Sequence, residues 1–133
     1  MKLSHIGIAV PNLDDAVKVF SVLADAKPAA IKEVADQKVK VAMFPFEGGG
    51  AIELLMPTDE SSPIKGFLDK KGQGLHHLAF HVDNIEQTLE DLKAKGYRLI
   101  DETPRIGASG CKIAFVHPKS TSGVLVELEE ETE

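Results

Sequence analysis

The chain has one cysteine, Cys111, one tyrosine, Tyr97, and no tryptophan. A lone thiol excludes an intrachain disulfide, which fits a reducing, cytoplasmic setting. No apolar run reaches the roughly 18 residues that a membrane span needs. Positive charge is also scarce: 15 Lys and Arg stand against 21 Asp and Glu, a net charge of −6. Nucleic-acid surfaces are built from clustered cations, so neither nucleic acid nor membrane is an expected partner. The first residues pass straight into a strand pattern, with no signal or transit segment expected. The glycine-rich stretches at 48–50 and 107–110 lack a nucleotide-binding pattern and read as hairpin turns. Cys111 has no nucleophile context. Glu127, Glu129, Glu130, Glu131 and Glu133 crowd the C-terminus, where a solvated acidic tail is expected.

What the chain does have is a repeat. His5-Ile6-Gly7-Ile8-Ala9-Val10-Pro11-Asn12-Leu13-Asp14 aligns with His77-Leu78-Ala79-Phe80-His81-Val82-Asp83-Asn84-Ile85-Glu86 at a constant offset of 72. Each copy later reaches an apolar strand holding one carboxylate: Ile52-Glu53-Leu54, then Val126-Glu127-Leu128. The His-to-Glu separations are 48 and 50 residues.

Periodicity fills in the elements. Residues 3–10 alternate as a strand, and Asn12 caps a helix over 13–24 with Asp14 and Asp15 at its positive end. Strands follow at 28–34, 38–46 and 51–56. Ser61-Ser62-Pro63 opens a short linker helix with Ile64, Phe67 and Leu68 on one face. The second half repeats the order: a strand at 75–82, a helix after Asp83/Asn84 that ends at a C′ glycine, Gly96, and strands at 97–100, 111–117 and 124–128. The expected class is α+β in one domain, 1–133. Two tandem βαβββ modules (1–57 and 75–133, linker 58–74) form a curved, mixed eight-stranded sheet around a metal site, with helices on its outer face.

Strand parity sets the chemistry. Ile6, Ile8 and Val10, like Leu78, Phe80 and Val82, need cover from the helices. His5 and His77 then take the other face beside small neighbours, and so do Glu53 and Glu127. Any one such residue is more often structural than functional. Two His at matching repeat positions, each followed by a Glu inside an apolar strand, are hard to explain as decoration, because a buried carboxylate is costly unless paired or coordinating. Imidazole nitrogen with carboxylate oxygen suits a borderline or hard divalent ion, and the lack of thiolates excludes a structural zinc knot. His76 faces away from His77 and reads as packing. His81 sits about 13 Å along the strand, too far to share the ion, and is expected at the pocket mouth. His117-Pro118-Lys119-Ser120-Thr121 reads as a polar turn or an anion-binding loop, and Lys112 and Lys119 offer local positive charge to phosphates.

Several segments carry a family likeness. They are Ser62-Pro63-Ile64, Gly74-Leu75-His76-His77-Leu78-Ala79-Phe80, Asp101-Glu102-Thr103-Pro104-Arg105-Ile106-Gly107-Ala108, His117-Pro118-Lys119-Ser120 and Gly123-Val124-Leu125-Val126-Glu127-Leu128. On them the chain resembles the vicinal oxygen chelate (glyoxalase/bleomycin resistance-like) superfamily, and within it the methylmalonyl-CoA epimerase family. The resemblance implies a divalent metal held by His5, Glu53, His77 and Glu127, most often Co2+, with Ni2+, Mn2+ and Zn2+ as alternatives. It implies a coenzyme A thioester substrate, epimerised at C2 through an enolate, and a homodimer. It also implies Glu127 as one catalytic base. Some family members carry a glutamate on the third strand. Here that stretch is Gln37-Lys38-Val39-Lys40-Val41, which leaves Glu53, or Lys40 if buried, as the second base. Lys112, Lys119 and Ser120 are the substrate-binding expectations. A lactoylglutathione lyase-like metalloenzyme and a non-enzymatic small-molecule-binding module of the same fold are the alternatives.

Overall fold

The computed structural model describes residues 1–107 and 109–131; Ala108 and Glu133 of the segments above lie outside them. The first half runs β1 (Lys2–Ala9), α1 (Leu13–Ala24), β2 (Ala30–Val34), β3 (Val39–Pro45) and β4 (Ala51–Pro57). Its strands lie in the order β2-β3-β4-β1, with β1 parallel to β4 and the other pairs antiparallel. The linker helix α2 (Pro63–Lys71) leads into β5 (Gly74–Val82), α3 (Ile85–Ala94), β6 (Arg105–Ile106), β7 (Lys112–Val116) and β8 (Leu125–Glu130). The second set of strands is ordered β5-β8-β7-β6, again with the first strand parallel to the last. Among the described residues, eight strands in mixed orientation with three α-helices make this an α+β fold of two βαβββ modules.

Local chemistry explains the boundaries. The Asn12 Oδ1 accepts from the Asp15 N–H at 3.1 Å, and the Asn84 Oδ1 accepts from the Gln87 N–H at 3.1 Å, so both repeat helices start on the same cap. Ser62 caps α2 by accepting from the Ile64 N–H, and Pro63 occupies the first turn, where its missing donor costs nothing.

Two compact units result, one of His5–His76 and the other of Met1–Ser4 with His77–Glu133. In the first, Ile8, Val10, Ala42, Phe44 and Leu54 pack under Leu13, Val17 and Phe20 of α1. Val39, Val41, Leu55 and Ala9, from the other face of the same strands, pack against Ile64, Phe67 and Leu68 of α2. In the second, Ala114, Val116 and Leu128 pack under Ile85 and Leu89 of α3. Burying a side chain such as Leu54 or Ile85, both essentially inaccessible, contributes about 1.5–3 kcal/mol each. Among the described residues no helix is long and apolar enough to cross a membrane.

Three expectations need correcting. Helix α2 does not join α1 on an outer face; it covers the face of β1, β3 and β4 that carries Ala9, so the small residue there is packed rather than open. The strand expected at 97–100 is reduced to one bridge, Leu99 to Val116. The reason lies at Asp101: its Oδ2 accepts from the Phe115 N–H at 2.8 Å and takes the place of a backbone carbonyl, which ends the ladder before it reaches strand length. The acidic tail is not simply solvated. Glu129 accepts from the Ser4 hydroxyl, Glu130 caps the Ile85 N–H, and Glu131 pairs with Lys2 at 2.8 Å.

Candidate metal centre

Both repeat copies build the same pair in the same register. In β1 and β4, Gly7 lies directly opposite Glu53, so His5 is the diagonal neighbour two residues away. In β5 and β8, Ala79 lies directly opposite Glu127, and His77 is the diagonal neighbour. The residue opposite each carboxylate is glycine or alanine. The His5 Nε2 lies 3.8 Å from the Glu53 Oε2, and the His77 Nε2 lies 3.9 Å from the Glu127 Oε1. Both gaps exceed hydrogen-bond length. Two donors bound to one ion at roughly 2.0–2.2 Å lie no more than about 4.4 Å apart, so each pair fits across a cation.

Burial sharpens the reading. His5, His77 and Glu127 are 6%, 4% and 8% exposed, whereas Glu53 is half-buried. An ionised carboxylate as enclosed as Glu127 is expensive without a counter-charge, and a divalent ion supplies one. Each pair, one imidazole with one carboxylate and no thiolate, has the donor chemistry of a borderline or hard divalent ion.

The remaining expected residues divide. His76 is turned from its neighbour His77 and meets the Phe67 ring edge-on, with centroids 4.8 Å apart. Burial holds its pKa below the usual imidazole value. His81 lies beside Glu129 and Glu131, 3.6 Å from each. It lines a cavity of about 500 Å³ with Met1, Lys2, Asp83, Asn84 and Gln87, whose wall includes neither His77 nor Glu127. Lys40 is exposed and shares its strand face with Ala42 and Phe44 beneath α1, opposite the Glu53 face. The condition for Lys40 as a base, burial, is not met. Position 43, paired with Glu53 across β3 and β4, is methionine.

Lys112 belongs to the α3 side of β7, where its Nζ pairs with Glu86 at 2.8 Å. Each member of that exposed pair shifts the other: the hydrogen bond lowers the Glu86 pKa and raises that of Lys112. Lys119 is exposed on a 3-10 turn over Pro118–Ser120, and the Ser120 Oγ accepts from the Arg98 N–H at 2.8 Å. His117 caps that turn by accepting from the Lys119 N–H at its Nδ1.

Sequence reasoning missed one wall of the second pair. Phe115 lies directly opposite Glu127 across β7 and β8, and its ring stands edge-on to the His77 ring with centroids 6.4 Å apart. The Arg105 guanidinium sits over the Phe115 ring at 5.3 Å, and its Nε lies 3.6 Å from the Asp101 Oδ1. The segment containing Asp101 and Arg105 was visible as a motif, but nothing in its periodicity tied it to Phe115.

Residues 4–115 match the family model described as the glyoxalase/bleomycin resistance protein/dioxygenase superfamily. The chain is 40% identical over 130 residues to the mitochondrial methylmalonyl-CoA epimerase of Dictyostelium discoideum, covering 97% of this chain and 78% of the relative. It superimposes on methylmalonyl-CoA epimerase from Mycobacterium tuberculosis with a TM-score of 0.90 at 37% identity, covering 99% of this chain and 89% of the other. A Streptomyces coelicolor methylmalonyl-CoA epimerase variant in complex with 2-nitronate-propionyl-CoA matches with a TM-score of 0.88 at 34% identity, over 99% and 95% of the two chains.

Proposed function

The chain belongs to the glyoxalase/bleomycin resistance protein/dioxygenase superfamily, and from that premise we propose that it is a methylmalonyl-CoA epimerase, an isomerase that interconverts (2R)- and (2S)-methylmalonyl-CoA. The reading is carried by the duplicated His–Glu diagonal, His5 with Glu53 and His77 with Glu127, set in one register at separations of 3.8 and 3.9 Å. Likeness to epimerases along the full chain supports it.

In this proposal the four side chains hold one divalent ion, Co2+ ahead of Ni2+, Mn2+ or Zn2+. When bound, the ion supplies Lewis-acid stabilisation of the substrate carboxylate and of the negative charge that builds on the thioester oxygen. The chain's own residues move the proton. Glu127 removes it from C2 on one face of the substrate, and Glu53 returns one to the opposite face, since inversion requires donors on both sides of a planar intermediate. Glu53 is preferred to Lys40 because Lys40 is exposed on the far face of its strand. Phe115, packed against His77, keeps water from the Glu127 side. Lys119 and Ser120 remain the proposed contacts for the anionic end of the thioester.

The proposal includes a cytoplasmic homodimer formed through α1, where Val19, Val22 and Leu23 are 57%, 80% and 73% exposed; sedimentation velocity checks the assembly. The deciding experiment incubates metal-loaded protein with methylmalonyl-CoA in heavy water and follows deuterium at C2. Wash-in at a rate far above the protein-free control is expected. No exchange there, with turnover of a glutathione hemithioacetal instead, would move the assignment to a lactoylglutathione lyase; inactivity on both, with no metal bound, would leave a binding module.

A further inference from the structure

We propose that Arg105 is a substrate-binding residue that receives an oxyanion of the thioester substrate at the rim of the His77–Glu127 pair. The inference deepens the epimerase reading and rests on it.

Three observations carry it. First, Arg105 is on the right face. It pairs with Ile113 across β6 and β7. Ile113 and Phe115 share a strand face, and Phe115 lies opposite Glu127. The two ring distances, 5.3 Å from guanidinium to Phe115 and 6.4 Å from Phe115 to His77, put the guanidinium carbon within about 12 Å of the His77 ring, roughly the reach of a small thioester.

Second, Arg105 is held in a way that leaves its donors open. Its Nε lies 3.6 Å from the Asp101 Oδ1, and its guanidinium carbon lies over the Phe115 ring, 5.3 Å from the centroid. The two terminal amino groups, the pair that grips carboxylate or phosphate bidentately, make no hydrogen bond among the described residues, and the side chain is 56% exposed. Asp101 is itself fixed, because its other oxygen accepts from the Phe115 N–H at 2.8 Å. The ion pair and the ring contact favour this placement of the guanidinium before any ligand arrives, which lowers the ordering cost of binding.

Third, the other cations of β7 and α3 are engaged elsewhere. Lys112 pairs with Glu86 at 2.8 Å and Lys93 with Glu102 at 3.5 Å, both exposed. Among the described residues of β6 and β7, Arg105 is the cation on the Glu127 face.

The substrate carries two kinds of oxyanion, the malonyl carboxylate and the coenzyme A phosphates, and the test separates them. Wild type, Arg105→Ala and Arg105→Lys are compared on methylmalonyl-CoA and on methylmalonyl-pantetheine, which lacks phosphates. Binding of propionyl-CoA, which lacks the carboxylate, is measured by calorimetry. If Arg105 takes a phosphate, Arg105→Ala raises KM for methylmalonyl-CoA and weakens propionyl-CoA binding by about 10- to 100-fold, leaving the pantetheine thioester unchanged. If it takes the carboxylate, both methylmalonyl thioesters suffer and propionyl-CoA does not. Arg105→Lys recovers part of the loss, because charge is kept and the fork is not. Wild-type values for Arg105→Ala with all three ligands would overturn the assignment. Failure of the epimerase reading shows separately, as a wild-type protein that exchanges no C2 proton on either methylmalonyl thioester.

Discussion

Glu127 is asked to do two things with one carboxylate. It sits 3.9 Å from the His77 Nε2, within range of sharing an ion, and it is buried to 8% exposure on the face that Phe115 walls. Glu127→Gln keeps shape and volume while removing the proton acceptor. C2 deuterium exchange should fall by about 10²- to 10⁴-fold, the usual contribution of a positioned general base, with circular dichroism unchanged; exchange near the wild-type rate would remove Glu127 from the role. The adjacent histidines give a sharper contrast. His77→Ala should lose tightly bound metal. His76→Ala should keep it, while losing the edge contact with Phe67, worth about 0.5–1.5 kcal/mol. Metal analysis of the purified variants reads both, and the reverse pattern would mean that the faces of β5 are exchanged.

At the scale of elements, much was legible and the failures share a cause. Both repeat helices, their asparagine caps and the proline-led linker helix follow from local pattern, because capping and periodicity are local physics. The register that brings His5 to Glu53 and His77 to Glu127 was legible only because the chain states it twice. What was not legible depends on partners distant in sequence. The apolar stripe of α2 declares that it needs cover and does not declare which face of the sheet provides it. Glu129 and Glu131 looked solvated because their partners, Ser4 and Lys2, lie 125 and 129 positions away. The strand expected at 97–100 gave way to a side-chain contact from Asp101 that no periodicity encodes.

The turn after β7 makes a prediction in pH. The His117 Nδ1 accepts from the Lys119 N–H, which requires an unprotonated nitrogen. Partial burial, then the charges of Arg98 and Lys119, hold its pKa below the ordinary 6.5. A depressed pKa means that the cap contributes fully above the unfolded value and is lost as pH falls through the lower folded value. In an NMR titration the His117 imidazole should therefore titrate below 6.5. Over the same range the Lys119 amide should lose hydrogen-exchange protection, and Lys119→Ala should move the midpoint upward. A midpoint above 6.5 would contradict the cap.

On the scale of the whole molecule, duplication raises a question that neither half answers alone. Each half offers a His–Glu pair with the spacing of a cation site. The proposal has one ion that both pairs complete, and two separate ions are the outcome that would overturn it. The proposed chemistry needs the shared ion, because C2 must be approached from both faces beside a single charge. The two cases differ in stoichiometry and in coupling. With one shared ion, titration of Co2+ into metal-free protein should saturate at one ion per chain. Removing one imidazole from either pair, by His5→Ala or by His77→Ala, should then weaken binding by a similar large factor, because each variant leaves three ligands of four. Binding to the folded state also stabilises it by RT ln(1 + [L]/Kd), about 4 kcal/mol at a thousandfold excess over Kd, so Co2+ should raise the melting temperature of wild type and raise that of neither variant appreciably. Two ions per chain, with each variant retaining one at full affinity, would show that the repeat built two independent sites, and the proton-transfer scheme across Glu53 and Glu127 would lose its basis.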